Sequence, residues 1–204
     1  IQPRSALGFS VLALAKFLES DQTIPNLQKF GRQFNPLDFE SAGRELAESL
    51  HGKVPIIYSS RQNLPIAYNW KIKFNETAKI PAFYNVFPEL NHNEMVGFDA
   101  LDSARSLSEK FHFIFLTDQT DHPKIVHRMA VCKKMYEDRG FRVTEIALVS
   151  SHAPSLADES AFAKIFNSLI LADWTALALS DFYGVDPEKV AMIEEFKKEI
   201  AQIE

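Results

Sequence analysis

Cysteine is almost absent from this sequence of 204 residues, which contains only Cys132. A single cysteine cannot form an internal disulfide, so a disulfide framework within the chain is excluded. The lack of disulfides fits a reducing compartment, and we expect a cytoplasmic protein. Cys132 itself lies in an amphipathic helical pattern and is predicted to be a packed thiol.

The sequence also lacks a surplus of positive charge and long hydrophobic runs. Its 22 Lys and Arg residues are outnumbered by 27 Asp and Glu residues, which gives a net charge of -5. This balance provides no basic field for a nucleic acid or an anionic membrane, so neither is expected as a partner. No uninterrupted apolar run approaches the roughly 18 residues of a membrane span. Because the net charge is negative, a phosphorylated ligand would need a local cluster of hydrogen-bond donors.

What the sequence does contain is ordinary for a globular domain, with 46% hydrophobic and 24% charged residues. Short apolar segments at residues 54–58, 111–116 and 142–149 predict buried strands. Helical patterns alternate with these segments, and the longest of them runs from Phe162 to Phe182. This alternation predicts an α/β fold with a doubly wound, mainly parallel sheet flanked by helices.

Helix boundaries are indicated by capping residues, proline and glycine. The spacing of apolar residues predicts a leading helix from Arg4 to Glu19. Residues 21–37 include two prolines and a glycine, and they are predicted to form a loop. A final helix is predicted from Asp186 to Ile203, with Asp186 as its N-cap and Pro187 in its first turn.

Three segments carry a recognisable pattern. Residues 3–7 read P-R-S-A-L, residues 75–82 read N-E-T-A-K-I-P-A, and residues 88–94 read P-E-L-N-H-N-E. In this order they resemble the bifunctional phosphoglucose/phosphomannose isomerase family, whose patterns are P-R-x-A-L, N-E-N-A-K-x-P-A and P-E-L-N-H-N-E. The seven-residue match is the most specific of the three.

The resemblance implies a protein with two sugar isomerase (SIS) domains, each a parallel sheet flanked by helices. Residues 1–20 would be a helix leading into the domain, and residues 21–204 would form the C-terminal SIS-type domain. An N-terminal SIS domain is expected upstream of this chain, and two copies are expected to form a homodimer. The implied activity converts the hexose phosphates glucose-6-phosphate and mannose-6-phosphate into fructose-6-phosphate and back through an enediol, without a metal or other cofactor.

The resemblance also implies roles for individual residues. Glu76 corresponds to the general base, and Arg4 corresponds to the group that steadies the enediolate. His92, supplied across a dimer interface, would open the sugar ring. Lys197 corresponds to a fourth active-site group on the closing helix, where the neighbouring Lys198 leaves the register open by one residue.

Polar residues follow two of the predicted strands. Ser59 and Ser60 come after the first strand, and Thr117 and Asp118 come after the second. In doubly wound sheets, ligands bind beyond the carboxyl ends of the strands. We therefore predict that Ser59 and Ser60 contact the substrate.

The chemistry of isomerisation needs these residue types: a carboxylate to move the proton, an acid/base group to open the ring, and a cation for the oxyanion. Taken without the resemblance, Glu76 could instead be a solvated helix carboxylate and His92 a surface histidine. Glu89 and Glu94 flank His92, but their order, E-x-x-H-x-E, is not the H-E-x-x-H pattern of a zinc site, so a metal site is not expected. The alternative function is a non-catalytic, sugar-phosphate-binding SIS regulatory domain, which would require neither motif.

Overall fold

Four parallel strands form the central sheet in the computed structural model, which describes residues 3–20, 22–99, 102–148 and 159–201. The order across the sheet is β2-β1-β3-β4, where the strands are β1 (Val54–Ser60), β2 (Phe83–Phe87), β3 (Phe111–Thr117) and β4 (Arg142–Ala147). All three neighbouring pairs are parallel. The predicted fold class is therefore confirmed, and the three predicted strands are β1, β3 and β4.

The described residues also form eight α-helices, which connect and cover the strands. They are α1 (Leu7–Phe17), α2 (Thr23–Gln33), α3 (Glu40–Leu50), α4 (Leu64–Glu76), α5 (Arg105–Ser108), α6 (Pro123–Asp138), α7 (Glu159–Tyr183) and α8 (Ala191–Ile200). The predicted leading helix corresponds to α1, and a short 3-10 turn at Pro3–Ser5 precedes it.

Hydrophobic side chains of the sheet pack into two clusters, because successive residues of a strand point to opposite faces. On one face Ile57 of β1 packs with buried residues of α3, α4 and α7. On the other face Tyr58 of β1 and Phe113 of β3 pack with Tyr136 and Cys132 of α6. Cys132 is thus the packed thiol that the sequence predicts.

The long helix α7 confirms the helix predicted from Phe162 to Phe182. By length and hydropathy alone its residues Ala161–Tyr183 would suffice to cross a membrane, a test that buried helices of globular cores also pass. In this fold α7 packs against α3 and α4, and Leu169, Ala172 and Leu179 are buried in the core between them. Core packing accounts for the apolar composition of this helix.

The prediction of a loop at residues 21–37 is wrong, because Thr23–Gln33 forms α2. Pro25 lies in the first turn, where the helix does not use its missing N–H group. Gly31 is exposed and lowers the helix propensity, but Phe30 beside it stacks on Phe34 and on Phe166 of α7. Tertiary packing of the aromatic side chains outweighs the two helix-breaking residues.

Two further boundaries differ from the sequence prediction. The final helix begins at Ala191 rather than at Asp186. The Asp186 carboxylate accepts a hydrogen bond from the backbone N–H of Glu188 in a local turn. The Pro187 carbonyl accepts a hydrogen bond from Arg4 in place of one from a helix backbone. Strand β2 was not predicted, because its five residues form a strand only by pairing with β1.

Candidate active site

An ion pair between two residues named by the motifs lies where the start of the chain meets the end of α4. Arg4 Nη1 is 3.1 Å from Glu76 Oε2, and Arg4 Nε donates to Thr77 Oγ1 at 3.1 Å. The Arg4 side chain is only 5% exposed, whereas the Glu76 side chain is 36% exposed. The guanidinium is therefore held in place by the protein, while the carboxylate remains accessible from solvent.

The same guanidinium binds the segment between α7 and α8. Arg4 Nη2 donates to the Pro187 carbonyl at 2.6 Å, and Lys79 Nζ lies 3.5 Å from that oxygen. Lys79 also donates to the backbone carbonyl of Glu76. Lys79 has a positive φ of 59°, a conformation that glycine adopts more readily, and it lies two residues beyond the C-cap of α4, Thr77. Partial burial and the nearby Arg4 lower the pKa of Lys79.

A second ion pair, between Lys73 and Asp173, contacts the backbone of Arg4. Lys73 Nζ lies 2.5 Å from Asp173 Oδ1 of α7 and 3.4 Å from the backbone carbonyl of Arg4. The Lys73 side chain is almost fully buried. Burial raises the pKa of Asp173, although Lys73 acts in the opposite direction. This pair connects α4, α7 and the start of the chain, and it restricts where the Arg4 backbone can lie.

The arrangement around Glu76 is chemically suited to moving a proton. Its Oε1 atom accepts no hydrogen bond from any residue that the structure describes. A small ligand could therefore reach this oxygen while Arg4 keeps the carboxylate oriented. Arg4 and Lys79 both contact Glu76 and the Pro187 carbonyl, and these cations can stabilise negative charge that develops on a ligand beside Glu76.

His92 lies on the loop that follows β2, and its side chain is exposed. Glu94 anchors this loop, because its carboxylate accepts hydrogen bonds from Tyr58 at 2.5 Å and from Asn85. Burial raises the pKa of Tyr58, so its hydroxyl remains a hydrogen-bond donor to Glu94. The side chain of Leu90 is fully buried beneath the loop. The described part of the chain contains no group of three His, Cys, Asp or Glu residues able to hold a metal ion.

Within one chain Glu76 and His92 lie at opposite ends of the strands. Helix α4 begins after the carboxyl end of β1 and runs back along the sheet, so Glu76 at its end lies near the amino ends of the strands. At 1.5 Å per residue α4 is about 20 Å long. His92 follows the carboxyl end of β2 and therefore lies near the carboxyl ends of the strands. The structure brings Arg4 and Glu76 together, but it does not place His92 beside them.

Ser59 and Ser60 lie at the carboxyl edge and are buried. Ser59 Oγ donates to the Ser60 carbonyl at 3.0 Å, and Ser60 Oγ accepts from Asn63 Nδ2 at 3.1 Å. The Asn63 amide also donates to two carboxylates, those of Asp118 at 3.0 Å and Asp121 at 3.4 Å. Substrate contacts of the two serines stay a prediction, and the carboxylates beside Ser60 would repel a phosphate group.

The network at this edge includes an ion pair that the sequence did not reveal. Asp118 Oδ2 is 2.8 Å from Lys164 Nζ of α7, and Thr120 donates two hydrogen bonds to Asp118 Oδ1. Burial alone would raise the pKa of Asp118, but the hydrogen bonds from Lys164, Thr120 and Asn63 outweigh it and hold the pKa at about 2. The only sequence signal for this network was the position of Asp118 after a predicted strand.

Lys197 lies on α8, away from the contacts of Glu76, and its side chain is exposed. Its Nζ atom is 2.8 Å from Glu194 Oε1 on the same helix. No side chain of α8 is buried in the part of the chain that the structure describes. The role predicted for Lys197 thus depends on contacts outside those that the structure shows. Lys73 and Asp173 were missed by the sequence analysis, because nothing in their local pattern marks them as partners.

Comparison with known proteins identifies a family that this chain resembles over most of its length. The family model described as bacterial phospho-glucose isomerase C-terminal SIS domain matches residues 39–200. The bifunctional phosphoglucose/phosphomannose isomerase of Aquifex aeolicus is 32% identical over 199 residues, which are 98% of this chain and 58% of that protein. The Thermoplasma volcanium protein of the same name is 30% identical over 204 residues, which cover 98% of this chain and 61% of that protein.

A solved structure supports the fold independently. The C-terminal domain of glucosamine-fructose-6-phosphate aminotransferase from Francisella tularensis superposes with a TM-score of 0.57 at 17% identity. The match covers 87% of this chain and 51% of that one. This similarity concerns the fold alone. The chain spans about 60% of the length of the curated relatives named above.

Proposed function

The chain belongs to the family of bacterial phosphoglucose isomerase C-terminal SIS domains, and we propose that it is the catalytic C-terminal part of a hexose 6-phosphate isomerase. The proposed reaction interconverts glucose-6-phosphate and mannose-6-phosphate with fructose-6-phosphate. The observation that carries this proposal is the ion pair of Arg4 with a solvent-accessible Glu76, formed by two of the three motif segments.

In the proposed mechanism Glu76 removes the proton from C2 of the open-chain aldose and returns it to C1. Over the reaction the C1 carbonyl oxygen gains a proton and the C2 hydroxyl loses one to become the carbonyl of the ketose, so the number of protons on the sugar is unchanged. Negative charge develops on these oxygens in the transition state, and the Arg4 guanidinium is positioned to stabilise it. Because three acceptors hold Arg4, little reorganisation is needed when the charge develops.

The proposed site requires groups from outside this chain. His92 of a second copy would open the sugar ring, and an upstream SIS domain would bind the phosphate. Exposed apolar side chains support such an arrangement, since Phe9 and Phe17 of α1 are 70% and 86% exposed. Met192 and Phe196 of α8 are 83% and 61% exposed, and a covering domain would also bring Lys197 towards a ligand.

The substitution Glu76→Gln in the complete protein tests this function. The amide keeps the shape of the side chain but cannot accept the proton, so kcat should fall by roughly two to four orders of magnitude with little change in KM. Exchange of the C2 proton with deuterium from the solvent should fall in parallel. Both are measured with glucose-6-phosphate and mannose-6-phosphate as substrates.

Glu145→Gln is the matched control. Glu145 of β4 is 40% exposed, and its carboxylate lies 2.7 Å from Lys133 Nζ of α6. The substitution removes the same charge from a similar ion pair far from the proposed site, and kcat should not change. Near-normal isomerisation by a folded Glu76→Gln variant would show that the base lies elsewhere. If the unmodified complete protein binds hexose phosphates without converting them, the non-catalytic regulatory alternative would be correct.

A further inference from the structure

Isomerisation moves more than one proton, and Glu76 accounts only for the proton that passes between C2 and C1. A second proton must leave the C2 hydroxyl, and the C1 oxygen must gain one, before the ketose is complete. Arg4 cannot carry this proton, because a guanidinium does not deprotonate in proteins. The proposed reaction therefore needs a further proton carrier close to both sugar oxygens.

Three side chains in the described ranges form hydrogen bonds with the backbone or the side chains of the Arg4–Glu76 pair. They belong to Lys73, Thr77 and Lys79. Lys73 is only 4% exposed and is held in an ion pair, so a ligand cannot reach it. Thr77 Oγ1 is occupied, because it accepts the hydrogen bond from Arg4 Nε. Lys79 is exposed, and it is the titratable side chain of the three that a ligand can reach.

The Lys79 ammonium is held by two carbonyl groups. It donates to the backbone carbonyl of Glu76, and its Nζ lies 3.5 Å from the Pro187 carbonyl oxygen. The same oxygen accepts from Arg4 Nη2 at 2.6 Å. An ammonium has three N–H groups, and these two carbonyls account for two of them, so the third can face a ligand. A ligand beside Glu76 therefore has a permanent cation and a titratable one within reach.

Charged groups on three segments set the proton affinity of Lys79. Partial burial and Arg4, at the start of the chain, lower its pKa. Asp186, between α7 and α8, and Glu76 of α4 oppose this change in part, because they favour the charged amine. Asp186 also pairs with Lys189, whose Nζ lies 3.4 Å away. A lysine whose pKa is lowered releases its proton more readily and suits general acid/base catalysis.

We propose that Lys79 is the catalytic residue that carries the proton between the two sugar oxygens. The inference rests on the proposed function, since it assigns one step of that reaction. While Glu76 removes the C2 proton, the Lys79 ammonium donates a proton to the C1 oxygen of the enediolate. The resulting amine takes the proton of the C2 hydroxyl as Glu76 returns its own proton to C1. The ammonium is regenerated, and the two oxygens of a cis-enediol are close enough for one amine to reach both.

Two substitutions in the complete protein test this role. Lys79→Arg keeps the charge but cannot release a proton, so kcat with glucose-6-phosphate should fall about 100-fold or more with little change in KM. Lys79→Gly removes the amine and should lower kcat at least as far. Its Tm should not fall, because glycine readily adopts the φ of 59° found here. Near-normal kcat in either variant would overturn the proposal, since charge alone or neither property of Lys79 would then suffice.

The pH profile identifies the titrating group. The kcat of the unmodified protein should fall as the pH rises through the pKa of Lys79, because the neutral amine has no proton to donate. Lys79→Cys treated with 2-bromoethylamine regains an amine at a similar distance, and the sulfur atom makes this amine less basic. Activity should return, and the fall in kcat should occur at lower pH than in the unmodified protein. A lysine that only supports the structure would not produce this shift.

The control for the chemical modification is Lys134→Cys treated in the same way. Lys134 is 74% exposed on α6 and pairs with Asp138 at 2.6 Å, far from the proposed site. Its modified variant should keep the kcat and the pH profile of the unmodified protein. The native Cys132 is 1% exposed, and burial raises its pKa to about 11, so it should not react.

The results also separate this role from the proposed function. If the complete protein isomerises hexose phosphates but modified Lys79→Cys shows an unshifted profile, water or another residue carries the proton. The Lys79 role is then wrong, and the isomerase proposal stands. If the complete protein converts neither glucose-6-phosphate nor mannose-6-phosphate, the proposed function fails, and the role of Lys79 fails with it.

Discussion

Replacing Asp118 with asparagine should destabilise the protein far more than replacing an exposed acidic residue. The Asp118 side chain is 1% exposed and accepts hydrogen bonds from Lys164, Asn63 and Thr120. Asparagine can retain the acceptor for Thr120. Its new NH2 group, however, would face the Asn63 amide and the Lys164 ammonium, both of which are donors. The substitution therefore removes a charge and turns two favourable contacts into donor–donor contacts.

The expected cost follows from these contacts. Removing one partner of a buried ion pair costs about 3–5 kcal/mol, because the remaining charge is left without compensation. For a chain of this size each kcal/mol corresponds to about 2–4 °C in Tm, so Asp118→Asn should lower Tm by roughly 6–20 °C. The pair of Lys133 with Glu145 is 31% and 40% exposed, and Glu145→Gln should cost about 1 kcal/mol or less.

The pH dependence supplies a second measurement on the same residue. The folded pKa of Asp118 is about 2, below its ordinary 3.8. Its stabilising contribution is therefore complete above about pH 4 and lost as the pH falls through 2, and it amounts to about 2 kcal/mol. Urea unfolding between pH 2 and pH 6 should show this loss in the unmodified protein, and a smaller one in Asp118→Asn.

A double variant completes the test. Lys164→Met combined with Asp118→Asn removes both charges, so the double variant should lose less stability than the sum of the two single variants. If Asp118→Asn costs no more than Glu145→Gln, the buried network contributes little and the reasoning is refuted. Additivity of the two single variants would show that their ion pair makes no net contribution.

Two further predictions concern other buried positions. Burial lowers the pKa of His112 to about 4 from its ordinary 6.5, because the charged ring is disfavoured in the folded protein. The free energy of unfolding is therefore highest above about pH 6.5, and it should fall by about 3 kcal/mol as the pH falls towards 4. Urea unfolding of His112→Gln should lack this part of the pH dependence, and an unchanged profile would contradict the assignment. Gly43→Ala should cost about 1–3 kcal/mol by calorimetry, because its Cβ would lie 2.4 Å from Trp174 Cβ, whereas Gly31→Ala in the exposed part of α2 should stabilise by about 0.5–1 kcal/mol. Equal effects of the two alanines would rule out close packing of α3 on α7.

Local pattern was sufficient where burial alone decides the structure. β1 and β3 are covered on both faces, so most of their residues are apolar, and the strand pattern was clear. The long helix α7 was equally clear, since it buries much of its surface. Predictions failed where a distant partner decides the structure. α2 forms because Phe30 stacks on Phe166, which lies far away in the sequence.

The candidate site shows the same division between motif and geometry. Its motif residues Arg4 and Glu76 were identified from the sequence, because the three segments resemble an isomerase pattern. Their contact could not be derived from spacing, since Arg4 meets residues 72 and 183 positions away, Glu76 and Pro187. The supporting pair of Lys73 with Asp173 was not predicted for the same reason.

The sequence by itself therefore determined the fold class, the family resemblance and the residue types of the chemistry. Periodicity reports whether a segment is buried on one face or on both, and this is a local property. Only the tertiary structure decided that Glu76 and His92 lie at opposite edges of the sheet. The direction in which α4 returns along the strands separates them, and that direction depends on packing against the whole sheet. The proposed site, which uses both residues, therefore requires His92 from a second copy, as the family resemblance implied; the direction of α4 gives the physical reason.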